Sequence, residues 1–195
     1  REGDTIKAPG SMKDDRVLAA ARCSSPVPNG EWRFVEDRTG PPNRAYLKLW
    51  EAISRLGRRP GKGDFCLDLG ASPGGWTWAL AKLGARVLAV DKAPLAASVA
   101  TMKGVEFRRQ SAFALEPAEF PRVDWLVCDV ACYPRRLLAL VQRWMESGRV
   151  GNMVCTVKFQ GATDHDAARA FAAIPGSVLV HLHHNKHELT FMWPA

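Results

Sequence analysis

Asp68-Leu69-Gly70-Ala71-Ser72-Pro73-Gly74-Gly75-Trp76 follows the apolar run Phe65-Cys66-Leu67 and leads into Thr77-Trp78-Ala79-Leu80-Ala81-Lys82-Leu83. The order reads as strand, glycine-rich turn and helix. Glycines let the backbone take positive φ and approach a ligand closely, and the turn delivers a helix N-terminus with free N–H groups. A few residues on, Ala85-Arg86-Val87-Leu88-Ala89-Val90-Asp91 reads as a second strand ending in a carboxylate, where doubly wound folds place an acid to accept hydrogen bonds from ribose hydroxyls. Turn and acid together describe one nucleotide-type cofactor site, although a glycine turn can also merely join a strand to a helix. The spacing D-x-G-x-x-P-G-G-W lacks the G-x-G-x-x-G that a dinucleotide diphosphate needs, which disfavours a nicotinamide-dependent oxidoreductase. The acid ahead of the first glycine suits a cationic, phosphate-free ligand.

Outward from this loop, the chain has the size of one α/β domain: 195 residues, 47% of them apolar. A net charge of +7 favours an acidic partner, most simply nucleic acid, with a merely soluble basic surface as the plain alternative. Cys23, Cys66, Cys128, Cys132 and Cys155 form no C-x-x-C pair and read as reduced, mostly buried thiols of a cytoplasmic protein. No run approaches a membrane span and no signal-peptide pattern opens the sequence.

Residues 1–42 are rich in charge, glycine and proline and read as an N-terminal arm or lid, with Trp32, Arg33 and Phe34 alternating as on a short strand. The domain proper is expected over 43–195. Asn43 can cap a helix to Leu56 closed by Gly57, with Leu49, Ala52, Ile53 and Leu56 at helical spacing. Arg44, Lys48 and Arg55 on this basic helix are the candidate RNA contacts. Then come a short helix near Leu95 to Met102, strands at Val105 to Arg109 and Val123 to Asp129, and a helix opened by Pro134. A strand at Asn152 to Phe159 and a helix at Asp164 to Ile174 precede two strands around Asn185-Lys186. Seven strands alternating with helices imply a mostly parallel sheet covered on both faces, ending in an antiparallel hairpin.

Asp68, Asp91, Asp129 and Lys158 each follow an apolar run, which puts them at the carboxyl rim of such a sheet, where ligands bind. The loop and these strand ends resemble the FtsJ-type (RrmJ-like) ribose 2′-O-methyltransferases, and within them the RlmM group, which methylates ribosomal RNA. The resemblance covers roughly Asn43 to the C-terminus and implies a seven-stranded Rossmann-like class I methyltransferase fold. It also implies S-adenosylmethionine as cofactor, held by Asp68, Gly70, Ser72, Pro73, Gly74, Gly75, Trp76, Asp91 and Asp129. The family's Lys-Asp-Lys-Glu set matches Lys48 in Tyr46-Leu47-Lys48-Leu49, Asp129 in Val127-Cys128-Asp129-Val130, Lys158 in Thr156-Val157-Lys158-Phe159 and Glu188 in His187-Glu188-Leu189-Thr190.

A ribose hydroxyl is a poor nucleophile, so its methylation needs a base at the oxygen and a methyl donor aligned behind it. Lys158 is the expected base with Lys48 as the neighbouring cation, and Asp129 and Glu188 as orienting groups. The sequence departs from the family after its third strand. Gln110-Ser111 stands where an acid commonly meets the adenine, so Ser111 or a backbone group is expected there. His181, His183, His184 and His187 straddle a hairpin without a completing carboxylate or cysteine pair, and no metal is expected. The expected activity is methylation of large-subunit ribosomal RNA. The alternatives are another RNA such as tRNA, or a noncatalytic RNA-binding module that keeps the fold.

Overall fold

The computed structural model describes Val27 and residues 30–194. The chain divides into two units, Arg1–Val35 and Glu36–Ala195. In the first, Trp32 and Phe34 stack with centroids 6.4 Å apart, but the expected short strand does not form among the described residues. The apolar patch Val17 to Ala21 lies outside them.

The second unit is a seven-stranded sheet with helices: α1 (Tyr46–Leu56), β1 (Phe65–Leu69), α2 (Gly75–Lys82), β2 (Arg86–Asp91), α3 (Ala97–Ala100), β3 (Val105–Arg109), β4 (Val123–Cys128), α4 (Pro134–Glu146), β5 (Val150–Lys158), α5 (His165–Ala172), β6 (Val178–Val180) and β7 (Glu188–Pro194). Strand order is β3-β2-β1-β4-β5-β7-β6. The first five pair in parallel, and β7 runs antiparallel to both β5 and β6. The segment Glu36 to Pro42 belongs with this unit: the backbone N–H of Asp37 donates to the hydroxyl of buried Tyr46, at 2.9 Å. The domain therefore begins nearer Glu36 than residue 43.

The strands read from composition as near-continuous apolar runs because β1, β4 and β5 are buried on both sides, as parallel sheets require. Period two sorts their faces. Leu67 and Leu69 of β1 join Leu126, Cys128, Met153, Leu137, Trp144, Phe171 and Phe191 in the main core, whereas Asp68 between them meets Thr77 of α2. On that second side Tyr46, Trp50 and Trp78 pack edge to face and tilted, with centroids 4.9 to 6.3 Å apart, joining α1 to α2.

Strand order reverses at β1 and β4, the switch point at which open α/β sheets form a crevice beyond their carboxyl ends. The loops leaving these two strands touch. The Asp129 N–H donates to the Leu69 carbonyl at 3.1 Å, and Gly70 has φ +78° with no room for a side chain, since a Cβ would stand 2.7 Å from the Val130 Cα. Gly70→Ala should therefore cost at least about 1–2 kcal/mol from the left-handed backbone alone, read as a lower urea midpoint with an unchanged slope. A stability within about 0.5 kcal/mol of wild type, the range of an uninvolved surface change, would contradict this packing.

Candidate active site

The four tetrad residues come together although Lys48 lies 81 residues from Asp129 and 140 from Glu188. Three elements supply the geometry. Parallel β4 and β5 deliver Asp129 and Lys158 to the same rim, the β5–β7 register sets Lys158 opposite Glu188, and α1 lays Lys48 across them. The Lys48 Nζ is 2.9 and 3.0 Å from the two Asp129 carboxylate oxygens and 3.1 Å from Glu188 Oε1. The Lys158 Nζ donates to the Asp129 carbonyl oxygen and lies 3.0 Å from Asp129 Oδ1.

Charges thus alternate along a row, Glu188, Lys48, Asp129, Lys158. The inner lysine is bracketed by two acids and is 11% exposed at its side chain, while Lys158 is 26% exposed and shares its one carboxylate. Glu188 meets Lys48 and not Lys158, a division the motif alone did not reveal. The row opens into a cavity of about 520 Å³ whose walls include Asn43, Arg44, Lys48, Lys158, Lys186 and Glu188. An ammonium has three N–H donors, and the contacts above engage two of those of Lys158. Its head can therefore meet a further group in that cavity.

A second cleft, of about 190 Å³, lies at the switch point against Gly70, Asp91, Gln110, Ser111, Phe113 and Val130. Asp91 accepts from the Ser72 N–H at 3.0 Å and the Ala93 N–H at 2.9 Å, one on each oxygen, which leaves lone pairs for a ligand hydroxyl. The Ser72 hydroxyl donates to the Pro94 carbonyl at 2.8 Å and the Ser72–Pro73 peptide is cis, so these two residues shape the loop. Gly74 at φ +117° precedes the first turn of α2, and a Cβ on Gly75 would collide with the Asn43 side chain. Ser111 accepts at its hydroxyl from the Phe113 N–H. The guanidinium of Arg136, which sequence reasoning passed over, lies 3.9 Å above the Phe113 ring and borders the same cleft.

Two expected ligand residues stand elsewhere. Trp76 is buried, its indole N–H donates to the Ala45 carbonyl at 2.7 Å, and the Lys48 ammonium lies 6.0 Å over its ring. It props α1. Asp68 is not at the rim, because β1 continues through Leu69 and α2 covers it. It is fully buried, accepts from the Thr77 hydroxyl at 2.6 Å, and has no partner for Oδ1. Burial raises its carboxyl to about 7, with Asp129 and Asp91 adding repulsion. Asp91, the carboxylate that does border the cleft, shares its wall with Lys92 and Arg136.

Of the candidate RNA contacts, Arg44 is 72% exposed and pairs with Glu36. Lys48 belongs to the row, and Arg55 pairs with buried Glu51 at 2.9 Å. The histidines are taken up singly: His181 meets the Lys186 carbonyl, His187 meets Thr163, and the backbone N–H groups of His183 and His184 donate to Glu51. Among the described residues no three histidine, cysteine or acidic side chains are placed to hold a metal, and no helix is long and apolar enough to cross a membrane.

Residues 41–184 match the FtsJ-like methyltransferase family. The chain is 44% identical over 121 residues to "Ribosomal RNA large subunit methyltransferase M" of Halorhodospira halophila, covering 60% of this chain and 35% of that protein. It is 40% identical over 149 residues to the protein of the same name from Alkalilimnicola ehrlichii, covering 72% and 40%. The chain thus spans well under half the length of these relatives. Fibrillarin of Aeropyrum pernix, solved with natively bound S-adenosyl-L-methionine, superposes with a TM-score of 0.51 at 18% identity, over 76% of this chain and 75% of that one, a likeness of fold.

The state of Asp68 sets a pH dependence. Its folded carboxyl titrates near 7 against 3.8 for the free group, so the folded chain holds a proton that the unfolded chain has released. That contribution is complete below about pH 4 and is lost as pH rises through about 7. Asp68→Asn should remove a few kcal/mol of this slope, becoming the more stable protein at pH 8 while staying close to wild type at pH 4. Urea melts across that range check it, and a constant difference between the two proteins would contradict it.

Proposed function

The chain belongs to the FtsJ-like methyltransferase family, and from that premise we propose that it transfers a methyl group from S-adenosylmethionine to a ribose 2′-hydroxyl of large-subunit ribosomal RNA in the cytoplasm. The observation that carries the reading is the alternating row Glu188, Lys48, Asp129, Lys158 at the mouth of one cavity, with a second cleft beside Asp91 at the switch point. A chain that only bound RNA would have no use for two lysines held by two acids at a sheet rim.

When bound, S-adenosylmethionine supplies an electrophilic methyl group on a sulfonium cation. The residues of the cleft fit it. Asp91 can take its ribose hydroxyls and the backbone at Gln110 to Ala112 its adenine, with Asp91 the carboxylate of a wall that also holds Lys92 and Arg136. Ser111 then contributes through its backbone and by capping the turn.

In this reading Lys158 accepts the hydroxyl proton at Nζ, a role its open position beside the cavity supports. It must be neutral to do so, and it shares Asp129 with Lys48 instead of holding a carboxylate of its own. Lys48 has the other part. Fixed between Asp129 and Glu188, it steadies negative charge developing at the attacking oxygen. Binding of RNA falls to Arg44 and Lys186 at the cavity wall, since Lys48 and Arg55 are engaged internally. Ribosomal RNA as the target follows the name carried by the relatives.

Lys158→Ala should slow methyl transfer by about 10²–10⁴-fold, the span of a positioned base, while calorimetry finds cofactor affinity unchanged. Tritiated methyl transfer to transcribed large-subunit RNA, with tRNA as a parallel substrate and nucleoside mapping of the product, reads both rate and site. A methyl group found on a base, or only on tRNA, would overturn the corresponding part of the assignment. Replacing Arg44 and Lys186 together by alanine should weaken RNA binding and flatten the slope of log affinity against log salt by about 1–2, one phosphate for each cation lost. An unchanged slope would place the RNA elsewhere.

A further inference from the structure

One buried carboxylate has no part in the chemistry above. Glu51, one turn beyond Lys48 on α1, is fully buried, and every group around it is a donor. Its Oε1 accepts from the His183 N–H at 2.9 Å and from Arg55 Nε and Nη2 at 3.1 and 2.9 Å, and its Oε2 accepts from the His184 N–H at 3.2 Å. A charge-assisted acceptor this well matched fixes what it holds. What it holds is the connection between β6 and β7.

That connection also carries Asn185, itself buried, whose Oδ1 accepts from the Leu182 N–H at 2.7 Å and the Thr190 hydroxyl at 3.0 Å. Its Nδ2 donates to Glu188 Oε1 at 3.1 Å, the same oxygen that receives the Lys48 ammonium. The links close into a ring: Glu51, the turn at His183 and His184, Asn185, Glu188, Lys48, and back along α1 to Glu51. Two side chains of one helix, three residues apart and on one face, thus grip a single turn from both ends.

We propose that Glu51 and Asn185 are positioning residues for the methyl transfer, holding Glu188 against Lys48 so that the row keeps its order when RNA enters. The proposal rests on the activity assigned above but reads out without it. Glu51→Gln sets an amide NH₂ among four donors, and Asn185→Ala removes the donor to Glu188.

In both variants trace acetylation with acetic anhydride, read residue by residue by mass spectrometry, should rise at Lys48 by at least about threefold, as for an ammonium losing one of two carboxylate partners, with Lys158 unchanged. Neither change should raise Lys48 labelling further in a Glu188→Gln background. Cofactor affinity by calorimetry should hold, and single-turnover transfer to RNA should fall about 10- to 100-fold, the effect of a misplacement on the order of 1 Å. Labelling that rises at lysines throughout the chain, or adds to the Glu188→Gln effect, marks a merely structural role and overturns the proposal, as does unchanged Lys48 labelling in both variants. If Lys48 responds as expected while wild-type protein methylates no RNA, the positioning role holds and the assigned activity fails.

Discussion

The carboxylate of Asp129, shared between the ammonium groups of Lys48 and Lys158, is the contact on which the rest of the site depends. It joins α1 to β4 and β5, and through Lys48 it reaches β7. Most of what surrounds it serves to keep that one group in place. The packing of Gly70 against Val130 fixes the backbone just beyond it, the Asp129 N–H is held by the Leu69 carbonyl, and Trp76 props the helix that carries Lys48. Exposed ion pairs contribute little to stability, but this row is mostly withdrawn from water. Removing one member would strand the others in a poorly solvated site.

The two clefts differ in their charged walls, one carboxylate with two cations in the smaller and one carboxylate with four cations in the larger. Asp68 lies wholly buried beside the glycine loop, and burial, with Asp129 and Asp91 adding repulsion, makes it hold a proton near neutral pH. Beyond Asp129, Lys158, Lys186 and Arg44 stand on the wall of the larger cavity. The basic wall of the larger cavity suits an anionic polymer.

Much of this was legible in the sequence where local chemistry decides. β3 ran over Val105–Arg109 as read, Gly57 closed α1 in a left-handed conformation, and seven strands with a closing antiparallel hairpin formed in the expected class of sheet. Asp68 was misplaced because an acid after three apolar residues looks like a strand end, although Leu69 beyond it carried the strand on. Arg55 read as a candidate RNA contact, and though a glutamate four residues before it is a natural helix partner, nothing local tells of the turn, more than 130 residues away, that shares Glu51 with it. Which acid each lysine meets was likewise invisible, being set by the β5–β7 register and the angle of α1. Glu51 and Asn185 gave only a helical glutamate and a turn asparagine, and their partners exist only in the folded chain.

The central claim is that Lys158 takes the proton from a ribose hydroxyl. The pH dependence of single-turnover methyl transfer to large-subunit ribosomal RNA, compared between wild type and Lys158→Arg, tests it most directly. Arginine keeps the positive charge and can still pair with Asp129, but it stays protonated throughout the accessible range. The account expects a rate that rises with pH in the wild type, and a variant that binds cofactor and RNA yet transfers at least about 10²-fold more slowly with no rising limb. A Lys158→Arg protein that transfers at near wild-type rate, with the same rising limb, would contradict it.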